Sequence, residues 1–441
     1  MRAGTAIRDI SPKGPVQLCG YPESPVSEGV HDPLYAAVYY FEQGGEQAVC
    51  LTADLCFFAP PRAAKLTAAI AGATGVPEEN ILLAVTHTHY GPAPDCDIYR
   101  ESFGPELCPE YMDFVQAQAV AAAREAVETA FPAKLAWGAG RCGKEQGIGG
   151  NRHDPEKYAQ DPEVGVLAIA DDENKLRGVL VNYALHPTVL PPDLKLASAD
   201  FVGYLRKEVE EACPGAVFGF LQGCSGNQSS RYFRKEQSFA EAERFGRTIG
   251  REALRVLRGL TFRDVTAPLQ AKRDYFYPRN LREIPPYAEA RATAQQAREA
   301  YASLLAAHAP EAECRSAECT KIGTEMMEVY ARDAARYGRD AVLASSKAVE
   351  LHYLVLGGAV LVSAAAEVFV EVGLRAKAAS PFAVTLLSTL TGASSQSYIC
   401  SRYAYEAMYY EPSESLFGCG TAEALAETLC AGLGQLRPAE A

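Results

Sequence analysis

Three features of this 441-residue sequence predict an α/β fold, with mixed β-sheets covered by helices in one large domain. Apolar runs of strand length alternate with Ala-rich stretches of helical period. Several of those runs hand over directly to a histidine, aspartate or glutamate. No Pro- or Ser-rich linker divides the chain, and a hydrophobic content of 48% is enough for a sizeable core.

In order along the chain, residues 35–41 and 47–55 read as buried strands, the second ending at Asp54. An Ala-rich helix over 62–74 and a strand over 80–85 complete a βαβ-like unit that ends on His87 and His89, and a further helix is read over 104–129. A second unit has similar grammar: strands at 164–170 and 176–184, the latter delivering His186, then a helix over 201–212 and a strand over 217–222 that opens into the loop GCSGNQSSR. Over about 284–344 the composition turns to Ala, Glu, Arg and Gln with a break near Pro310, which predicts a helical hairpin inserted as an outer layer. Strands at 347–356 and 359–363 follow and place Glu367 at a strand end. A strand-like stretch at 381–390, a tyrosine-rich segment at 391–410 and a closing helix at 421–433 complete the chain.

The formal charge of -13 argues against nucleic-acid backbones and anionic membrane surfaces as partners, because both need clustered Lys and Arg. The N-terminus MRAGTAIRDISPKGP has no charged and apolar signal pattern, and no later run reaches the length of a membrane span. With no basic amphipathic helix, no stable membrane association is expected. The 13 cysteines, an odd number without CxxC pairs, read as reduced thiols and predict a cytoplasmic protein; a homo-oligomer is compatible with all of this.

The most informative stretch is LLAVTHTHYGP. In a strand of period 2, His87 and His89 would project from one face with their rings a few ångströms apart, a ready start for a metal site. Three well-separated strands thus end on a zinc-compatible ligand: His87, His186 and Glu367. Two histidines and a carboxylate form a known catalytic zinc set that leaves a coordination position open, and the chemistry that follows is metal-assisted hydrolysis.

These residues lie within motifs that resemble the neutral/alkaline, non-lysosomal ceramidase family. The motifs are HDPLYA at 31–36, THTHYGP at 86–92, GGNR at 149–152, NYALHPTVL at 182–190, SADFVGY at 198–204, FLQGCSGNQS at 220–229, EVFVEVGLR at 367–375 and SYICSRYAYEAMYYE at 397–411. They occur in family order and cover nearly the whole chain. The match is to the catalytic domain alone, without the signal and C-terminal immunoglobulin-like β-sandwich of the exported members. The resemblance implies a zinc-dependent amidohydrolase that cleaves an N-acyl amide with zinc-activated water. It makes His87, His186, Glu367 and Tyr398 the metal ligands, with Tyr403 and Tyr405 close enough in sequence to be confused with Tyr398. Beside them it sets His89 as lining the site without being a main ligand, Arg152 as a substrate-facing group, and Ser229 as a residue proposed to be catalytic; acid–base chemistry then makes His89 the natural proton shuttle, and Tyr398 and Arg152 can hold the oxyanion. Asp54 and Asp200 are candidate carboxylates for orienting the ligand imidazoles, or else ordinary turn and cap residues.

The departures bear on substrate. Ala365 and Ala366 replace Pro-Gly before Glu367, Tyr90 replaces a small residue, and Cys400-Ser401 replaces a polar pair. The family loop G-D-x-S-P-N reads Gly226 to Arg231 as GNQSSR here, so Ser229 is expected to position substrate more than to attack it. The expected partner is a small soluble N-acyl compound rather than membrane ceramide. Two other readings stand beside this one: a zinc-dependent esterase, lactonase or other acyl hydrolase on the same scaffold, and a non-catalytic metal- or ligand-binding protein.

Overall fold

The computed structural model describes residues 1–21, 24–94, 109–393 and 397–438. Its larger sheet has nine strands. The first half contributes β1 (Arg2–Asp9), β2 (Tyr35–Gln43), β3 (Glu46–Ala53) and β4 (Ile81–Val85), with α1 (Pro60–Thr74) and α2 (Pro109–Glu128). The second contributes β5 (Phe131–Arg141), β6 (Glu163–Asp171), β7 (Leu176–Tyr183) and β8 (Val217–Gln222), with α3 (Phe201–Ala212) and α4 (Phe239–Arg258). The order is β8-β7-β6-β5-β1-β2-β3-β4, with Arg263–Asp264 paired to β5 as the ninth strand. A smaller sheet runs β9 (Gln270–Phe276), β10 (Val349–Leu356), β11 (Ala359–Ala364) and β12 (Val384–Thr389). Between β9 and β10 lies the hairpin of α5 (Tyr287–Ala306) and α6 (Glu311–Tyr337), where Pro310 caps the second helix. After β11 come α7 (Val370–Ala379), α8 (Arg402–Glu406), α9 (Tyr410–Glu414) and α10 (Thr421–Gln435).

Strand alternation sorts the core into layers. On the larger sheet, Val38, Leu51 and Leu83 face the helices and pack with Val115 and Ala119 of α2 and Phe245 and Ile249 of α4. From the opposite face, Tyr39, Leu82, Leu167 and Leu180 meet Leu354, Leu356, Leu361 and Leu386 of the smaller sheet. Leu351, Tyr353 and Val362 then point away, onto Val372 of α7 and Leu425 and Leu429 of α10. The layers are therefore helices, sheet, sheet, helices, which meets the α/β expectation with mixed sheets.

Within these two sheets most pairings are antiparallel, but three are parallel: β3 with β4, β7 with β8, and β11 with β12. A parallel pair needs a crossover, and α1, α3 and α7 supply them. Open α/β sheets bind ligands at the carboxyl ends of such strands. His87, His186 and Glu367 each follow a strand of a different crossover unit.

The strand over 2–9 and those over 131–141 and 270–276 were not singled out from sequence, since their apolar content is diluted by Thr, Arg, Lys and Gly; register with β2, β6 and β10 decides them. The helix expected from residue 104 begins at Pro109 in the described chain, and 104–108 lie outside it. No helix of the described residues is long and apolar enough to cross a membrane.

His352 on β10 is buried, and burial with the nearby Arg273 pushes its pKa down to about 3. Below about pH 6.5 the unfolded chain binds a proton that the native chain refuses, so stability falls from there down to about pH 3. Denaturant titrations between pH 6 and 4 should show that His352→Asn has a shallower pH dependence than wild type, by up to about 1.4 kcal/mol per pH unit.

Candidate metal centre

β4 ends at Val85, and the chain leaves the sheet before the first histidine. His87 takes a left-handed backbone conformation, φ 63°, so period-2 alternation is not what pairs it with His89. This corrects the shared-strand-face expectation. A non-glycine residue in that region costs about 1–3 kcal/mol, and the surrounding bonds must hold it there. The His87 amide donates to the Leu55 carbonyl at 2.9 Å, and the Thr86 amide to the Ala53 carbonyl at 2.9 Å. The turn still brings Nε2 of His89 to 3.3 Å from Nε2 of His87. Gly20, at φ 121°, permits this, because a Cβ there would overlap the His89 ring.

Across the site, Nε2 of His186 lies 3.2 Å from Nε2 of His87 and 2.9 Å from Oε1 of Glu367. Oε1 of Glu367 is 3.9 Å from Nε2 of His87. The ligand atoms of His87, His186 and Glu367 all lie within 4.8 Å of one another, and the three residues are buried. The chain's own carbonyls decide how the rings can act. Nδ1 of His87 faces the Cys56 carbonyl at 2.9 Å, and Nδ1 of His186 faces the Ser225 carbonyl at 2.7 Å. A carbonyl only accepts, so each Nδ1 must carry the proton and each neutral ring turns its Nε2 lone pair inward. Inward lone pairs and a carboxylate oxygen at these distances repel one another unless a cation or a proton lies among them. Two imidazoles, each oriented from behind, and a carboxylate are a donor set suited to a divalent ion such as zinc.

Electrostatics agree with that reading. Burial pushes the His87 pKa down to about 4, against the pull of Glu367. Burial also lowers His89, helped by His87 and His186. For Glu367, burial works upward, but the neighbouring His186, His87 and Arg152 outweigh it and hold the carboxyl below its usual range.

Tyr398 stands next to Glu367 in register, in a two-residue parallel pairing of Glu367–Val368 with Tyr398–Ile399. Burial and then the Glu367 charge keep its hydroxyl protonated, with a pKa well above normal. The Arg152 guanidinium lies over the Tyr398 ring at 5.3 Å and over the Tyr410 ring at 5.0 Å. Its Nε donates to Glu411 at 2.7 Å, while its buried Nη2 has no hydrogen-bond partner. Tyr403 and Tyr405 point elsewhere, the former to His153 and Asn227 and the latter to the Phe417 carbonyl.

Ser229 is buried in a two-residue pairing with Gly150, and its Oγ accepts the Arg231 amide at 3.1 Å, a local turn bond. The loop around it has another job. Ser225 orients His186, the Asn227 carbonyl accepts the Arg152 amide at 2.8 Å, and the Asn227 side chain accepts the first amide of α7 at 2.9 Å. Its Gly, Ser and Asn content thus serves a junction of three site elements.

Asp54 and Asp200 do not orient imidazoles. Asp200 caps α3 and accepts the amides of Val189, Leu190 and Phe201. Asp54 accepts the Tyr35 amide and pairs with buried Arg206 at 2.6 Å. Backbone carbonyls do the orienting instead, and residue identity gives no sign of that. Sequence reasoning also passed over His153 and Glu411, although the first directly follows GGNR and the second closes the tyrosine-rich motif; their pairing spans the chain, so neither spacing nor periodicity announces it.

No model of a known protein family matches the chain, and no curated relative matches it. Solved structures do. A ceramidase complexed with C2 superposes with a TM-score of 0.74 at 18% identity, covering 100% of this chain and 76% of that one. The neutral ceramidase from Pseudomonas aeruginosa gives 0.73 at 19% identity, covering 100% and 75%. At such identities the likeness establishes the fold: this chain has the fold of the bacterial neutral ceramidase structures over its whole length.

A metal held by this donor set should respond to each ligand. His186→Ala and Glu367→Gln are expected to lose bound divalent ion on gel filtration, read by elemental analysis, whereas Ser229→Ala should keep it. Full metal retention in both ligand variants would remove the site.

Proposed function

We propose that this protein is a zinc-dependent hydrolase cleaving the amide bond of a small, soluble N-acyl substrate, with residues 1–441 forming the catalytic unit. The observation that carries the proposal is the convergence of two carbonyl-fixed Nε2 lone pairs and the Glu367 carboxylate on one buried point. The fold shared with ceramidase structures supports the same reaction class. The free cysteines among the described residues suit a reducing compartment such as the cytoplasm.

His87, His186 and Glu367 would hold the ion, with Tyr398 beside Glu367 as the fourth ligand position. When bound, zinc there supplies Lewis acidity, polarising the acyl oxygen and making water a competent nucleophile at neutral pH. The protein groups do the rest. His89, through Nε2, takes a proton from the attacking water and returns it to the leaving amine. Nη2 of Arg152, a buried donor without a partner, meets the oxyanion as charge develops on it, and the Tyr398 hydroxyl, when not engaged with the ion, is a second donor. Ser229, tied into a local turn, is left to support the substrate-side wall rather than to attack.

Purified protein should hydrolyse members of a mixed library of N-acyl amides and esters, followed by mass spectrometry, and a chelator should stop it until zinc is restored. Activity on esters or lactones but on no amide would shift the reaction to the sister chemistry. In His89→Ala, zinc should stay while turnover is lost; loss of zinc would make His89 a ligand instead. Arg152→Ala is expected to cost about 3–4 kcal/mol of transition-state stabilisation, the worth of one oxyanion donor.

A further inference from the structure

Arg152 has one committed edge and one free one. Its Nε is tied to Oε1 of Glu411 at 2.7 Å, and Nη2 is buried without a partner. Glu411 is itself fully buried and carries a second burden: Nε2 of His153 lies 2.9 Å and 3.0 Å from its two oxygens. Consecutive residues after Asn151 therefore converge on one carboxylate from α9. With Nε satisfied and the guanidinium lying over the rings of Tyr398 and Tyr410, which meet each other edge-to-face, movement of the end of the Arg152 side chain is restricted.

The carboxylate is in turn held from outside. Nη1 of Arg282 donates to the carbonyls of Pro412 and Ser413 at 2.8 and 2.7 Å, pinning the C-terminal side of α9. From the hairpin, Gly323 of α6 makes room for Ser413, whose Oγ would overlap any Cβ placed at that glycine. On the other flank His153 Nδ1 meets the Tyr403 hydroxyl at 3.2 Å, which takes a bond from Asn227 at 3.0 Å. Glu411 is the point where this frame meets the reactive site.

We infer that Glu411 is a positioning residue: by holding Nε of Arg152 and the ring of His153 on one buried carboxylate, it aims Nη2 of Arg152 at the reacting acyl group. This rests on the hydrolase reading given above. It assigns the α5–α6 hairpin a part in catalysis, exerted through α9, in place of a merely packing outer layer.

The test uses zinc-loaded wild type, Glu411→Gln, Glu411→Asp, Arg152→Ala and the double variant Arg152→Ala/Glu411→Gln. On an amide found in the library screen, Glu411→Gln should lower kcat by at least tenfold with bound zinc unchanged and KM altered less than kcat. Glu411→Asp, which keeps the charge, should recover part of the loss and stands in if the glutamine variant does not fold. The double variant should be no slower than Arg152→Ala, because the two residues act as one. A further tenfold fall in the double variant, or wild-type kcat in Glu411→Gln, would overturn the inference. If wild type hydrolyses no amide or ester, the hydrolase reading fails separately; a crystal structure of Glu411→Gln then decides, displacement of Arg152 from the Tyr398 and Tyr410 rings supporting the positioning role and an unmoved Arg152 refuting it.

Discussion

Two hydrogen bonds to backbone carbonyls set the geometry of the candidate site. The Cys56 and Ser225 carbonyls fix the tautomers of His87 and His186, and so convert two flexible amphoteric rings into donors of defined direction. Everything around them works to keep those carbonyls in place. The turn after β3 carries Cys56, the turn after β8 carries Ser225, and Asn227 ties that second turn to the start of α7 just beyond Glu367. The sheets contribute rigidity and the turns contribute direction. A cation at the centre would satisfy what the protein alone leaves repulsive, and folding and ion affinity would then share one geometry.

The sequence made the large-scale plan readable because that plan depends on patterns with a period. Apolar runs alternating with Ala-rich helices announce crossover units, and the polar residue after such a run marks a strand's carboxyl end; that is how His87, His186 and Glu367 stand out before any coordinates. The paired histidines were legible as a site for the wrong local reason. Period-2 alternation suggests a shared strand face, whereas the left-handed turn at His87 produces their proximity; histidine tolerates positive φ better than most side chains, but too few adopt it for the sequence to mark this one. Asp54 and Asp200 show the same limit from another side. A carboxylate near a site motif can orient a ligand, cap a helix or neutralise a buried arginine, and only tertiary neighbours decide among these.

Long-range polar pairs were the least readable component. Glu411 and His153 lie in stretches whose residues are individually ordinary, and their meeting is set by the packing of α6 against α9 and by the turn after Asn151. The helical hairpin is similarly understated in sequence, where its Ala, Glu and Arg content suggests no more than a solvated layer. Its contact with the short helix that carries Tyr410 and Glu411 gives it a place in the architecture of the site.

The three candidate ligands are distributed over most of the polypeptide, the two histidines alone standing 99 positions apart and the glutamate lying in the final quarter. During synthesis, then, the emerging chain owns half a site for a long time: imidazoles of no fixed direction, able to grip a stray ion only weakly and without the carboxylate. On the proposed reading, a tight grip would arise only when β11 docks and Glu367 arrives. Occupancy by metal would then report on the whole chain at once, and a truncated or partly assembled product would be left inert rather than loosely reactive.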